Sequence, residues 1–317
     1  MTVTGSEVRG YDLGAASNSL EVRPGGRVTG LYSEAGRLVV AGERDLKVYD
    51  VRSECRSPVV TLKDGRAKHY NCVTGRSDLV VAGTEQIKDE SFLLFWDLRQ
   101  AGKLQGGYWE TFNDDITSLS FRPGGGDTLA TGCTDGIVNI LDLSQPEESE
   151  ALVTSHNTQD SVADVVWYSA KNSEDNLAIQ THTEGVQLWR TEEVTARHVL
   201  DREQVCHGLR RTCPDYTYIV GLHPHPRDTG LIMVAGSSWE ESPCVRIVRL
   251  RNKKVKPLSL LEGPRSMVTC SLAVSESCLA TGDEEGTLWV WREDEGLQST
   301  LNNKIISKIS KAREKPY

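Results

Sequence analysis

Long apolar runs are missing from this chain. No stretch of its 317 residues approaches the roughly 18 that a membrane-crossing helix requires. The opening MTVTGSEVRG lacks the charged-then-apolar pattern of a secretory signal, and no asparagine begins an Asn-x-Ser/Thr acceptor. Aromatic residues are scarce at 6%, as suits a fold in which many short, half-exposed strands share the core. Basic charge is also short, with 36 Lys and Arg against 45 Asp and Glu, a formal charge of −9. That balance argues against broad binding to nucleic acid or anionic membranes, and suits a protein whose partners are other proteins with basic segments. Eight cysteines are present without a Cys-x-x-Cys pair. Cys72, Cys133, Cys270 and Cys278 fall inside apolar, strand-like runs, where a thiol acts as a small hydrophobe. These absences together predict a reducing compartment, cytoplasm or nucleus.

What is present is repetition. LATGCTDGIVNILDLS begins at Leu129, and LATGDEEGTLWVWRED repeats it from Leu279. Related phrases begin at Leu38, Leu79, Leu177 and Leu231. Each is an apolar run, a polar turn and an alternating run, the pattern of a β-hairpin. Further alternating runs precede five of the six hairpins (VTGLYS, ITSLSF, VADVVW, YIVGLH, VTCSLA) and others follow (PVVTLK, ALVTSH, ARHVLD, KPLSLL, GLQSTL). The six hairpins are spaced by roughly 40–55 residues, the period of a four-stranded blade, which predicts an all-β propeller.

The third strands end in Tyr49-Asp50, Trp96-Asp97 and Leu141-Asp142, where WD-repeat proteins carry Trp-Asp; Trp189-Arg190 and Trp291-Arg292 keep the aromatic and lose the acid. The chain therefore resembles the WD-repeat proteins. AGTEQIKDESFLLFWDLR, YWETFNDDITSLSF, TDGIVNILDL and ALVTSHNT bring it close to the family of WD repeat-containing protein 89, with a similarity running from Gly5 to about Lys311. That resemblance implies seven blades and no particular chemistry. The propeller is expected over 1–301, with 1–27 as a partial first blade: VRGYDL reads as a third strand and NSLEVRP as a fourth, with nothing ahead of them. The preferred reading is a seven-bladed propeller whose first blade is incomplete; the alternative is six blades plus an N-terminal hairpin. Either leaves an unpaired sheet edge near Val8–Leu13 or Leu20–Val22, a template for aggregation, and the seven-bladed reading predicts poor solubility. Residues 302–317 form a basic tail compatible with a helix or a weak nuclear address.

No enzyme motif survives inspection. There is no Gly-x-Ser-x-Gly and no phosphate-binding loop, and RPGGGD lacks the lysine such a loop needs. Paired acids such as Asp114-Asp115 and Glu284-Glu285 lie in turns and read as solvated faces. The densest set of metal-ligand types is Cys206, His207, Cys213, His223 and His225. Read as strand residues, Cys206 and His207 point to opposite faces, so no metal and no cofactor is expected.

The acidic turns carry the functional expectation. Turns joining second and third strands share one face of a propeller. Here they hold Glu43, Asp45, Glu85, Asp89, Glu90, Asp135, Glu184, Glu240, Glu241, Asp283, Glu284 and Glu285, against only Arg44 and Lys88. Loops after third strands instead hold Arg52, Arg56, Arg99, Lys103, Arg251, Lys253, Lys254 and Lys256, mixed with acids in other blades. An electrically sided, non-catalytic scaffold that receives basic segments follows. Ile87 and Trp239 stand as apolar anchors among those acids, with Trp239 folding back over its own blade as the competing expectation. Arg52 and Arg99, two places after Asp50 and Asp97, resemble the WDxR box of substrate receptors for cullin-4 ubiquitin ligases, which implies docking to the ligase adaptor; pairing with the local acid is the plainer reading. The His–Asp–Ser/Thr–Trp network of many WD repeats is largely missing: Phe112 and Leu141 replace two of its members. The closest set is His156, Thr181, Glu184 and Trp189. Stability is therefore expected to rest on apolar packing and to be moderate.

Overall fold

The computed structural model describes residues 2–4, 7–12, 17–53, 57–100, 102–169, 175–225, 229–239, 243–251, 254–264 and 266–292. They form seven sheets in strict chain order. An N-terminal sheet holds β1 (Thr2–Thr4), β2 (Glu7–Asp12) and β3 (Ser17–Val22). The first blade holds β4 (Val28–Glu34), β5 (Arg37–Gly42), β6 (Leu46–Asp50) and β7 (Val60–Leu62). The second holds β8 (Tyr70–Arg76), β9 (Leu79–Thr84), β10 (Leu93–Asp97) and β11 (Leu104–Tyr108). The third holds β12 (Ile116–Phe121), β13 (Thr128–Cys133), β14 (Ile137–Asp142) and β15 (Leu152–Asn157), with a one-turn helix α1 (Glu148–Ala151) before β15. The fourth holds β16 (Val162–Ser169), β17 (Asp175–Thr181), β18 (Val186–Arg190) and β19 (His198–Leu200). Helix α2 (Arg202–Gly208) leads to the fifth, β20 (Thr217–Pro224), β21 (Leu231–Ser237), β22 (Cys244–Arg251) and β23 (Lys254–Leu260). The sixth shows three described strands, β24 (Val268–Ser275), β25 (Cys278–Asp283) and β26 (Leu288–Arg292). Contacts divide the chain into two compact units, 1–167 with 189–196 and 168–188 with 197–317, the division falling within the fourth blade.

Within the first unit, period-two alternation explains the packing. Val80 and Ala82 of β9 join Val39, Leu46, Val48 and Leu62 of the first blade, whereas Val81 between them joins Ile116, Leu129 and Leu141 of the third. A strand buried on both faces must be apolar at nearly every position, which is why LVVAG reads as a continuous run. Tyr70 and Trp96 fill the first of these interfaces, ring edge to ring face at 6.1 Å. In the second unit, Val234, Val245 and Ile247 of the fifth blade meet Val268 and Trp291 of the sixth. The ladder slips by one residue near the start of β4, β8, β12, β20 and β24, between Val28 and Gly30, Tyr70 and Cys72, Ile116 and Ser118, Ile219 and Gly221, and Val268 and Cys270. Five copies of one bulge are the structural imprint of the sequence repeat, and bulges bend and twist a strand where they occur.

The blade count corrects the preferred expectation. Among the described residues there are six blades and an N-terminal appendage, not seven blades with an incomplete first. The appendage has three strands instead of a hairpin, because Thr2–Thr4 pairs antiparallel with Glu7–Arg9. Val8 and Val22 are fully buried against Leu38, Val40 and Tyr49 of the first blade. Val8 therefore sits on a central strand, not on the bare edge expected of it. The anticipated strand GLQSTL, most of the C-terminal residues, and the Arg56 and Lys253 side chains lie outside the described residues.

Candidate interaction surface

The turn between β9 and β10 is built to project. Thr84 Oγ1 accepts from the Phe92 amide at 2.9 Å, closing its base. Ile87 and Glu90 exchange both backbone hydrogen bonds, and Lys88 and Asp89 between them take φ of 53° and 66°. Two consecutive left-handed residues make a tight hairpin tip. Lys88, Asp89 and Glu90 are exposed there, and Ile87 is half-buried.

This turn is laced to its neighbours. The Glu85 amide donates to the His69 carbonyl, and the Gln86 amide to Asp115 Oδ1 at 2.7 Å. The Thr134 amide in turn donates to the Asp115 carbonyl. Gly136 takes a φ of 85° and lies so close to the Asp160 backbone that a Cβ there would meet the carbonyl oxygen at 2.9 Å, so only glycine fits. The segments 109–115, 134–136 and 158–161 are thereby joined at one edge of the third blade. They carry Glu110, Asp114, Asp115, Asp135 and Asp160 and not one Lys or Arg. Asp135 accepts from the Ile137 amide at 2.8 Å. Burial, and then the charge of Asp114, push its carboxyl above the usual range.

The other expected acids fare differently. Glu43 is exposed, but Asp45 faces Lys47 at 3.8 Å and Glu85 faces His69 at 3.8 Å. The loop between β7 and β8 adds Lys63, Arg66 and Lys68 beside a single acid, Asp64. These cations stand beside the second blade's turn through the Glu85–His69 backbone hydrogen bond, whereas the segments 109–115, 134–136 and 158–161 contain none. In the second unit two of the acids, Glu184 and Asp283, are structural. Glu184, at φ 65°, accepts from the Ile219 amide at 2.6 Å, and burial pushes its carboxyl up. Asp283 is only 7% exposed; its two oxygens accept from the Thr287 amide and from Trp289 Nε1, each at 2.8 Å. Glu284 and Glu285 are exposed, whereas Glu240 and Glu241 lie outside the described residues. Trp239 is half-buried against Tyr216, with ring centroids 5.5 Å apart, the folded-back arrangement.

The Cys/His segment is also corrected in its geometry. Cys206 and His207 sit on α2, not on a strand. Asp201 caps that helix by accepting from the Gln204 amide while Gln204 returns a bond to the Asp201 amide. The capping box DREQ was the missed signal. His223 Nε2 meets Ser271 Oγ at 2.8 Å, and burial drives its pKa down to about 4. Among the described residues no group of His, Cys, Asp or Glu is arranged to hold a metal. A cavity of about 190 Å³ opens between the fifth and sixth blades, lined by Tyr218, Ser237, Cys244, Leu261, Ser266 and Met267; it includes none of the expected site residues.

Arg52 and Arg99 occupy equivalent turns of the first two blades, with side chains 71% and 72% exposed. Each guanidinium is bidentate to the Asp two residues earlier: Arg52 Nε to Asp50 at 3.0 Å, and Arg99 Nη2 to Asp97 at 2.6 Å. Arg99 also approaches Asp78 at 3.8 Å, and Asp78 takes Arg37 of the first blade at 2.6 Å.

The blade-locking residues scatter as well. His156 lies against Trp189 with ring centroids 4.9 Å apart and planes tilted by 41°, while the Thr181 hydroxyl takes the Gly185 amide. A Trp–Thr bond exists where it was not foreseen, from Trp291 Nε1 to Thr281 Oγ1 at 2.9 Å. Ala82 is diagonal to Trp96 as Thr281 is to Trp291, the direct partners being Val80 and Leu279, and among the described residues the buried Trp96 Nε1 has no acceptor. Phe112 and Leu141, in place of polar partners, are buried in the apolar interface of the second and third blades.

Six meandering blades define a β-propeller, and their strand endings resemble those of the WD-repeat class. Two curated relatives carry the same description. The chain is 29% identical over 115 residues to the uncharacterized WD repeat-containing protein C63.06 of Schizosaccharomyces pombe, covering 36% of this chain and 34% of the relative. It is 30% identical over 127 residues to the uncharacterized WD repeat-containing protein YNL035C of Saccharomyces cerevisiae, covering 40% of this chain and 32% of the relative. The match thus spans about a third of each relative's length. No family model matches the chain. No helix among the described residues is long and apolar enough to cross a membrane.

Proposed function

We propose that this protein is a non-catalytic interaction scaffold, and that the acidic loops of its third blade receive a Lys/Arg-rich segment of a partner protein. WD-repeat propellers serve as protein-binding scaffolds, and the charge arrangement supplies the finer reading. One observation carries it: Glu110, Asp114, Asp115, Asp135 and Asp160 stand on hydrogen-bonded, adjoining loops that contain no Lys or Arg. A patch of one sign attracts the opposite sign and speeds encounter, with an effect that salt screens. The likeness to the family of WD repeat-containing protein 89, strongest around residues 83–99, belongs to this reading too.

The test is binding of a labelled octa-arginine peptide across a salt series. Asp114→Lys with Asp135→Lys should weaken it about tenfold at low salt and flatten the salt dependence. Unchanged affinity and slope would end the proposal. The second reading, docking to a cullin-4 ligase adaptor through Arg52 and Arg99, is favoured by the exposure of both guanidiniums on adjacent blades. Loss of adaptor capture in Arg99→Ala supports it, and unchanged capture removes it.

A further inference from the structure

We infer that Trp109 is the anchor for an arginine of that basic segment, an inference that rests on the scaffold reading above. Trp109 follows β11 and is 40% exposed, an unusual position for the largest apolar side chain. Its backbone is fixed from the neighbouring blade. Glu148 accepts from the Trp109 amide at 2.8 Å, and from the amide and hydroxyl of Thr111 at 2.7 and 2.6 Å. An aromatic held in place before binding loses little freedom on contact, which is the property of an interface anchor.

The ring already stands in a cation's company. The guanidinium of Arg66 lies 5.5 Å from the Trp109 centroid and 5.2 Å from that of Phe92, and it is neutralised by Asp64 at 3.0 Å. The protein's own arginine therefore displays, on this ring, the chemistry a partner would use: a planar cation over an indole face. Arg66 belongs to the loop on one side. On the other side the chain continues through Glu110 to Asp114 and Asp115 without a compensating cation. A second arginine reaching the indole thus arrives beside a segment, 109–115, that carries three carboxylates and no cation. Lysine satisfies the charge but not the planar stacking, so arginine is the favoured side chain.

The experiment measures labelled octa-arginine and octa-lysine binding to the full chain and to Trp109→Ala, Trp109→Phe and the Asp114→Lys, Asp135→Lys double variant. Urea midpoints are taken for each. Trp109→Ala should weaken octa-arginine about fivefold or more and octa-lysine less, with Trp109→Phe between wild type and Ala. Because Trp109→Phe keeps an aromatic in the same place, it separates loss of the ring from any loss of fold. Octa-arginine binding within twofold of wild type in Trp109→Ala overturns the anchor. If the double variant still binds weakly in that case, the scaffold reading survives without it. If neither variant weakens binding, both fall. A loss as large in Trp109→Phe as in Trp109→Ala, with urea midpoints lowered alike, also overturns the anchor, since damage to the fold then accounts for it.

Discussion

Two turns written in nearly the same letters do opposite work. Thr134-Asp135-Gly136 and Asp283-Glu284-Glu285-Gly286 both link second to third strands. Asp135 stands past the end of its strand, accepts one amide, and shares its edge with Asp114. Asp283 is the last residue of its strand, where the second blade has Thr84, and like Thr84 it accepts the amide that closes the turn. In the second and sixth blades the strand's final position points inward at the turn's own backbone while Asp89 and Glu284 beyond it are exposed; in the fourth, Glu184 turns back to the Ile219 amide. An acid's register within the repeat, not its presence in a turn, decides whether it can meet a partner.

The largest effect that would sharpen this contrast is expected at Asp283. Asp283→Ala strands the Trp289 indole N–H and the Thr287 amide, and should cost about 2–4 kcal/mol in urea unfolding. A cost below about 1 kcal/mol would place Asp283 back among the surface acids. Next is a pH effect in the same unit. The folded-state pKa of His223, lowered to about 4 by burial, lies below the ordinary value of about 6.5. As pH falls through that window the unfolded chain takes up the proton first, so stability is complete above about pH 6.5 and is lost toward about pH 4. The loss should be on the order of 2–3 kcal/mol and absent in His223→Gln; an equal slope in that variant contradicts the assignment. The smallest effects compare the two Trp-bearing blades. Thr281→Ala should cost about 1–2 kcal/mol, whereas Ala82→Ser, by giving Trp96 Nε1 the acceptor that Trp291 already has, should gain about 0.5–1 kcal/mol. No gain would mean that the serine hydroxyl does not reach the indole.

Much of this architecture was legible because blade formation depends on period and alternation, which the letters carry directly. LVVAG at Leu38 and Leu79 announces strands buried on both faces, and both blades lie where those phrases stand. The turn acids were legible as residues but not as surface. Register separates Asp135 from Asp283, and the cations of the loop at 63–68 become relevant only once that loop is seen beside the second blade's turn. Helix α2 was missed because DREQVCHG, although capped, sits between strand-like runs too close to advertise a helical period. At the N-terminus, Thr2–Thr4 is too short to signal a strand, yet its pairing moves Val8 from a supposed edge to a central strand and leaves Leu20–Val22 on the edge strand.

The most direct test of the contrast compares two double charge reversals in one octa-arginine titration across salt: Asp114→Lys with Asp135→Lys, and Glu284→Lys with Glu285→Lys. The third-blade reversal should weaken binding about tenfold and flatten its salt dependence, while the sixth-blade reversal should stay within about twofold of wild type. Equal losses from the two pairs would mean that the chain responds only to net charge, and that no localised acidic site exists on the third blade.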